Sequence, residues 1–383
     1  MIDLNDFDHT DFQQWKEKVI NDLGLASIDE LNLFPRPEEI DQPPFVDFTT
    51  APDNDLIVSY RHCQTHIGED WQGARYWLNM EMIDSPVDAE ANQLAITALM
   101  GGADGIIVSI NEQSDWNRLF SEISLSDCFI GVKGTVDSFT KLKNHLNKHH
   151  LNMRGFAWLT DLDHHIGQPK LIAPMILHAQ PQYVLVLKEH EPSLGSLNEL
   201  ARLLSHTVQM ANQLADHGVP LKAVFLSIQF NLELSNAYLW EICRLRCLRI
   251  LFHQIIMQYG ITDISPRSLS IHAFTKIPEA DQSSSTSLIS NTGQAMAGVL
   301  GGCDILSVIG ELGDTDSETV RNRRVARNVS HILKQECYLH QTSDPVAGAY
   351  YLEDLTHKML KEVWSRFQAL EQSGGYLANI KEK

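Results

Sequence analysis

From about residue 71 onward, short apolar, β-branched or aromatic runs alternate with longer helical segments, eight times without interruption. This alternation constrains the fold more than any other feature. Consecutive parallel strands need a crossover about as long as a helix, so strand and helix must take turns. The expected strands span 75–82, 105–110, 128–133, 154–160, 183–188, 223–230, 269–274 and 305–309. The helices that follow them span 89–100, 116–123, 138–146, 170–178, 197–217, 237–259, 286–300 and 318–336. Eight such units predict an α/β protein, a (β/α)8 TIM barrel ringed by helices. An open doubly wound sheet is the competing architecture.

Two stretches repeat one another. Leu99-Met100-Gly101-Gly102-Ala103-Asp104 precedes one expected strand, and Leu300-Gly301-Gly302-Cys303-Asp304 precedes another. In each a helix ends at glycine, which accepts the left-handed cap conformation, and the chain turns quickly into a strand. They read as equivalent αβ corners of one repeated unit.

The flanks differ from the repeat. Residues 1–70 read as an N-terminal arm: a helix over 12–23 with Trp15, Val19 and Leu23 on one face, then a run containing Pro35, Pro37, Pro43 and Pro44. Proline there blocks both helix and central strand, so an extended segment lying on the barrel or on another chain is expected. The barrel is expected over 71–345, broken at Asp344-Pro345, with a C-terminal corner and a helix over 355–370 within 346–383.

Composition excludes some partners. A formal net charge of -19 repels a duplex phosphate backbone and an anionic membrane surface. Six scattered cysteines, several in apolar runs, read as reduced buried thiols. The acidic start from Met1 to Trp15 is no secretory signal, and no apolar run is long enough to span a bilayer, so a cytoplasmic location is expected.

Two motifs carry a family resemblance. The first is Asn291-Thr-Gly-Gln-Ala-Met-Ala-Gly-Val-Leu-Gly-Gly-Cys-Asp304. The second runs from Arg324 through Ala326-Arg327-Asn328, Ile332-Leu333 and Glu336 to Asp344-Pro-Val-Ala-Gly-Ala-Tyr-Tyr-Leu-Glu353 and Leu355-Thr356. In order and spacing, over roughly 220–375, they resemble the second half of the barrel in the adenosylcobalamin-dependent methylmalonyl-CoA mutase family. The resemblance implies a reaction in which adenosylcobalamin supplies a radical and an acyl-CoA skeleton rearranges. The CoA chain lies along the barrel axis, and a histidine from a separate flavodoxin-like domain holds cobalt. Both motifs are structural, so they speak for family and little for catalysis.

Against that pattern the functional positions look degenerate. The family's Ser-Gly-Tyr-His segment on the sixth strand corresponds to Ile228-Gln229-Phe230-Asn231, with phenylalanine for tyrosine and asparagine for histidine. Asn231 can hydrogen-bond but cannot act as a protonated donor. The seventh-strand His-x-Gln-Thr-Ser-Gly becomes His272-Ala-Phe-Thr-Lys276-Ile277. The cobalt-binding Asp-x-His-x-x-Gly has only an imperfect echo, Asp161-Leu-Asp163-His164-His165-Ile-Gly167, which reads as a polar loop. The expectation is therefore a small, non-catalytic subunit with no intact catalytic set at Phe230, Asn231, His272 and Lys276. No cofactor or metal site of its own and no cobalamin-binding domain are expected; adenosylcobalamin belongs to a large catalytic subunit in a heterodimer. A substrate-binding subunit of an isobutyryl-CoA-type mutase is the alternative, and a metal-dependent hydrolase using some of the 17 histidines is a third.

The strands also carry Tyr76, Trp77, Phe156, Trp158, Phe225, Phe230 and Phe274. Alternation sends about half of them inward, and an eight-stranded barrel has just enough room for side chains, so a plugged axis is expected. Lys133, Lys188 and Glu189 fall at strand ends. Lys188, which could meet a phosphate or carboxylate, is expected to pair with Glu189 or a loop acid. Cys243 and Cys247, at i, i+4, read as core. The run 281–287 reads as a loop entering a helix, and 314–318 as an acidic helix start.

Overall fold

Alternating side chains fix the strands, and their register builds the barrel. The computed structural model describes residues 11–30, 40–47, 55–60, 74–162, 169–177, 185–188, 196–276, 284–313 and 315–380. Its strands are β1 (Leu78–Ile83), β2 (Gly105–Ser109), β3 (Phe129–Gly134), β4 (Arg154–Leu159), β5 (Leu185–Leu187), β6 (Ile228–Leu234), β7 (Ser270–Thr275) and β8 (Ile305–Ser307). All pairings are parallel, in the order β4-β3-β2-β1-β8-β7-β6-β5. The ladder between β1 and β8 joins the first unit to the last, and β4 lies beside β5, so the sheet forms a nearly closed (β/α)8 barrel.

A helix follows each strand in turn: Asp88–Met100, Trp116–Leu119, Val136–Lys148, Pro169–Leu177, Leu197–Asp216, Tyr238–Gln258, Ser284–Gly301 and Asp316–Gln335. The last begins with a capping box between Thr315 and Glu318, as its acidic start suggested. The C-terminal helix expected over 355–370 runs from Tyr350 to Gln372, and two further elements change more in kind. The run 223–230 is not one strand: Leu221–Leu226 is a short helix after Pro220, and β6 starts at Ile228 and runs on to Leu234. A short apolar run has no periodicity to separate the two states, and proline at φ -58° favours a helix start. The helix after β2 stops at Leu119, because the chain turns left-handed at Glu122 (φ 60°).

The two glycine corners are geometrically equivalent. Gly102 and Gly302 adopt φ of 91° and 95°. Ala103 N–H donates to Ala98 O and Cys303 N–H to Gly298 O, each at 3.0 Å. Asp104 N–H then donates to Asn79 O, and Asp304 N–H to Ile271 O, each at 2.9 Å. The carboxylates return the contact: Asp104 accepts from Asn79 N–H at 2.8 Å and Asp304 from Ile271 N–H at 2.9 Å. Each corner thus locks a helix end to the neighbouring strand.

The Tyr238–Gln258 helix is buried at every position from Trp240 to Phe252, so it shows little amphipathic patterning. The Tyr350–Gln372 helix covers its outer side and also rests on Leu197–Asp216. Burial on all sides leaves its three arginines needing partners. Arg244 binds Glu199 (2.8 Å) and Glu241 (2.7 Å), Arg246 binds Asp344 (2.6 Å), and Arg249 binds Asp304 (2.7 Å). Cys243 and Cys247 are buried free thiols in the same helix.

In the N-terminal region, the Phe12–Leu23 helix opens with a capping box from Asp11 and Gln14, and Trp15 stacks on Phe45 (ring centroids 5.2 Å). The Asp55–Tyr60 helix, not expected from sequence, buries Ile57 completely and places Tyr60 Oη 2.5 Å from His253 Nδ1. Lys358 Nζ donates to Asp41 O at 3.0 Å. The stretch at Asp41 and the Asp55–Tyr60 helix thus rest on helices of the same chain. No helix among the described residues is long and apolar enough to cross a membrane.

Candidate functional site

Barrel enzymes place their chemistry on the axis and at the C-terminal ends of the strands. Residues i and i+2 of a strand share a face, and the register sorts the inner face. Met80, Ile107, Phe129, Phe156, Trp158, Val186 and Ile305 form a buried apolar cluster separate from the one beneath the helices. Gln229, Asn231, Ser270, His272 and Ser307 are buried with them on β6, β7 and β8. The axis therefore has an aromatic half and a polar half.

The aromatic half is tightly filled. Phe156 is fully buried, with its ring centroid 6.2 Å from Phe129 and 6.0 Å from His272. Gly131 lies beside it on β3. A methyl group added there would meet Phe156 Cζ at 2.6 Å and Ile107 Cγ1 at 2.9 Å. Of the aromatic residues singled out in the sequence, Phe156 and Trp158 join this inner cluster. Trp77, Phe225 and Phe230 join the core under the helices. The expectation of a plugged axis agrees with this packing.

The polar half is a set of short hydrogen bonds. Ser270 Oγ donates to Gln229 Oε1 (3.1 Å), and Gln229 Nε2 donates to Asn231 Oδ1 (3.0 Å). His272 Nε2 lies 2.9 Å from Ser307 Oγ. Among the described residues, Asn231 Nδ2 and His272 Nδ1 have no hydrogen-bond partner. Burial, with a smaller push from the Lys188 ammonium, lowers the His272 pKa to about 3. Its ring is neutral near pH 7, so it can orient a carbonyl only as a neutral donor.

Four positions were singled out as the degenerate remains of a catalytic set, and the fold does not bring all four together. Asn231 and His272 are paired in register across β6 and β7. Phe230 points the other way, edge-on to Phe252 of the helix behind (centroids 5.4 Å), so it faces no site on the axis. Because β6 continues to Leu234, Asn231 lies mid-strand and Glu233 stands nearer the mouth. Lys276 is exposed just beyond β7, where its N–H donates to Gln294 Oε1 at 2.7 Å.

The mouth has a charged group of its own. Lys188 Nζ sits 4.8 Å from the Phe274 ring centroid and 5.6 Å from that of Trp158, and Lys133 Nζ lies 5.3 Å from the same indole. Among the described residues Lys188 pairs with Glu233, at 3.9 Å, a residue of β6 and not of a loop. Glu189, His164 and His165 lie outside the described residues. Burial lowers the Lys188 pKa; Glu233 opposes that shift and Lys133 reinforces it. Sequence reasoning missed Gln229, Ser270, Ser307 and Glu233. Polar residues at every second position of β6, and at Ser270 and His272 of β7, were the available signal.

Residues 190–383 match the family described as Methylmalonyl-CoA mutase. The chain is 27% identical over 181 residues to the methylmalonyl-CoA mutase small subunit of Porphyromonas gingivalis, covering 46% of this chain and 29% of that protein. It is 26% identical over 199 residues to the small subunit of Streptomyces virginiae, covering 51% and 32%. These matches span about a third of the relatives' own length. Among solved structures, a Yersinia pestis dihydropteroate synthase aligns over 68% of this chain and 93% of its own at 13% identity and a TM-score of 0.38.

Proposed function

The chain belongs to the methylmalonyl-CoA mutase family, and from that premise we propose that it is a non-catalytic subunit that pairs with a cobalamin-carrying mutase chain. The observation that carries this reading is the filled axis. Where Gly131 has no space for one methyl group beside Phe156, a pantetheine chain cannot thread. Enzymes of this family would need that passage, and opening it would mean displacing several fully buried side chains.

The polar half of the axis supports the same reading. Asn231 and the neutral His272 offer hydrogen bonds but no proton donor of the strength an acyl carbonyl radical would call on. The described side chains on the inner strand faces do not fit a cobalt ligand either. His272 is the histidine on the inner strand faces; it is fully buried and engaged by Ser307. Adenosylcobalamin is therefore assigned to the partner chain, and the isomerisation of methylmalonyl-CoA to succinyl-CoA to the heterodimer.

Purification separately and together tests this. The chain alone, supplied with adenosylcobalamin and methylmalonyl-CoA, is expected to give no turnover, and to co-elute with a cobalamin-binding mutase chain that turns over. Turnover by the isolated chain would overturn the assignment.

A further inference from the structure

We propose that His145 and His149 form a binding site for a divalent transition-metal ion of the copper, nickel and zinc class, on the last turn of the Val136–Lys148 helix. The two stand at i, i+4, the spacing that puts both side chains on one face of a helix. The helical turn continues through the pair, because His149 N–H donates to His145 O at 3.1 Å. Their ring centroids lie 4.5 Å apart. One ion can therefore take a nitrogen from each ring after small rotamer adjustments.

The surroundings suit such an ion. His145 borders an outer-wall cleft of about 470 Å³ that is also lined by Trp116, Phe120, His150 and Asn152. Among the described residues no three His, Cys, Asp or Glu side chains gather, so the protein supplies two nitrogens and the remaining positions fall to water or to a donor in the cleft. Imidazole donors favour Cu²⁺ over Ni²⁺ and Zn²⁺, and leave Mg²⁺ and Ca²⁺, which take oxygen, unbound. The ion would clip the end of a helix whose next stop is β4.

Titration of the full chain with each metal salt alone, by calorimetry and thermal melting, tests the site on wild type, His149→Gln and His145→Gln. His149 is exposed, so His149→Gln should leave the fold intact. The expected result is one tight equivalent of Cu²⁺ in wild type, a Tm rise of about 3 °C at a hundredfold excess over Kd, and loss of both in either variant. Mg²⁺ should produce no shift. Absence of binding, or an unchanged tight equivalent in His149→Gln because other histidines hold the ion, would overturn the proposal.

Discussion

At the scale of single residues, the axis is decided by a glycine, an aromatic ring and a buried histidine. Gly131 is small because Phe156 occupies the space its side chain would need. Gly131→Ala is therefore expected to cost about 1–3 kcal/mol of unfolding free energy, read from urea denaturation, as overpacked core positions do. His272 gives a pH signature with a definite sign. The unfolded chain takes up this proton below about pH 6.5, whereas the folded chain, with the pKa lowered to about 3, does not. Stability is thus fully present above 6.5 and is lost as pH falls toward 3. Denaturation curves at pH 7.0 and 4.5 should show wild type losing stability relative to His272→Gln by about 1.4 kcal/mol per pH unit within that window. Parallel behaviour of the two proteins would remove burial as the cause. Sequence alone pointed to His272 and Asn231, and the register sets the two side by side on β6 and β7. Phe230, one position away on the same strand, turns its ring toward Phe252 on the opposite face, which the sequence alone did not separate from Asn231.

At the scale of elements, the helix order was legible because each strand–helix unit has its own period, and the glycine corners were legible because both need a left-handed residue. The fully buried Tyr238–Gln258 helix was legible as a helix but not as a central one. Three arginines on it suggest a solvent face until Glu199, Glu241, Asp344 and Asp304 are seen to pair with them. Removing one member of such a set leaves charge stranded in the core. Arg244→Ala is expected to destabilise by about 3–5 kcal/mol in chemical denaturation, far beyond an exposed pair such as Lys141–Glu112. The cover helix is equally testable. Met359 on Tyr350–Gln372 is fully buried, and Met359→Ala should cost about 2–5 kcal/mol by the same measurement.

At the scale of the whole molecule, the chain keeps a mutase-family barrel whose axis is filled with side chains rather than left as a passage. Filling one half with Phe129, Phe156 and Trp158 and tying the other half into Ser270–Gln229–Asn231 and His272–Ser307 contacts leaves a rigid scaffold. Under the non-catalytic role proposed above, such a barrel would serve to hold a partner chain. Calorimetric titration of methylmalonyl-CoA and succinyl-CoA into the isolated chain tests this most directly. No saturable heat up to millimolar ligand is the predicted result, and a one-to-one isotherm with a micromolar Kd would contradict it.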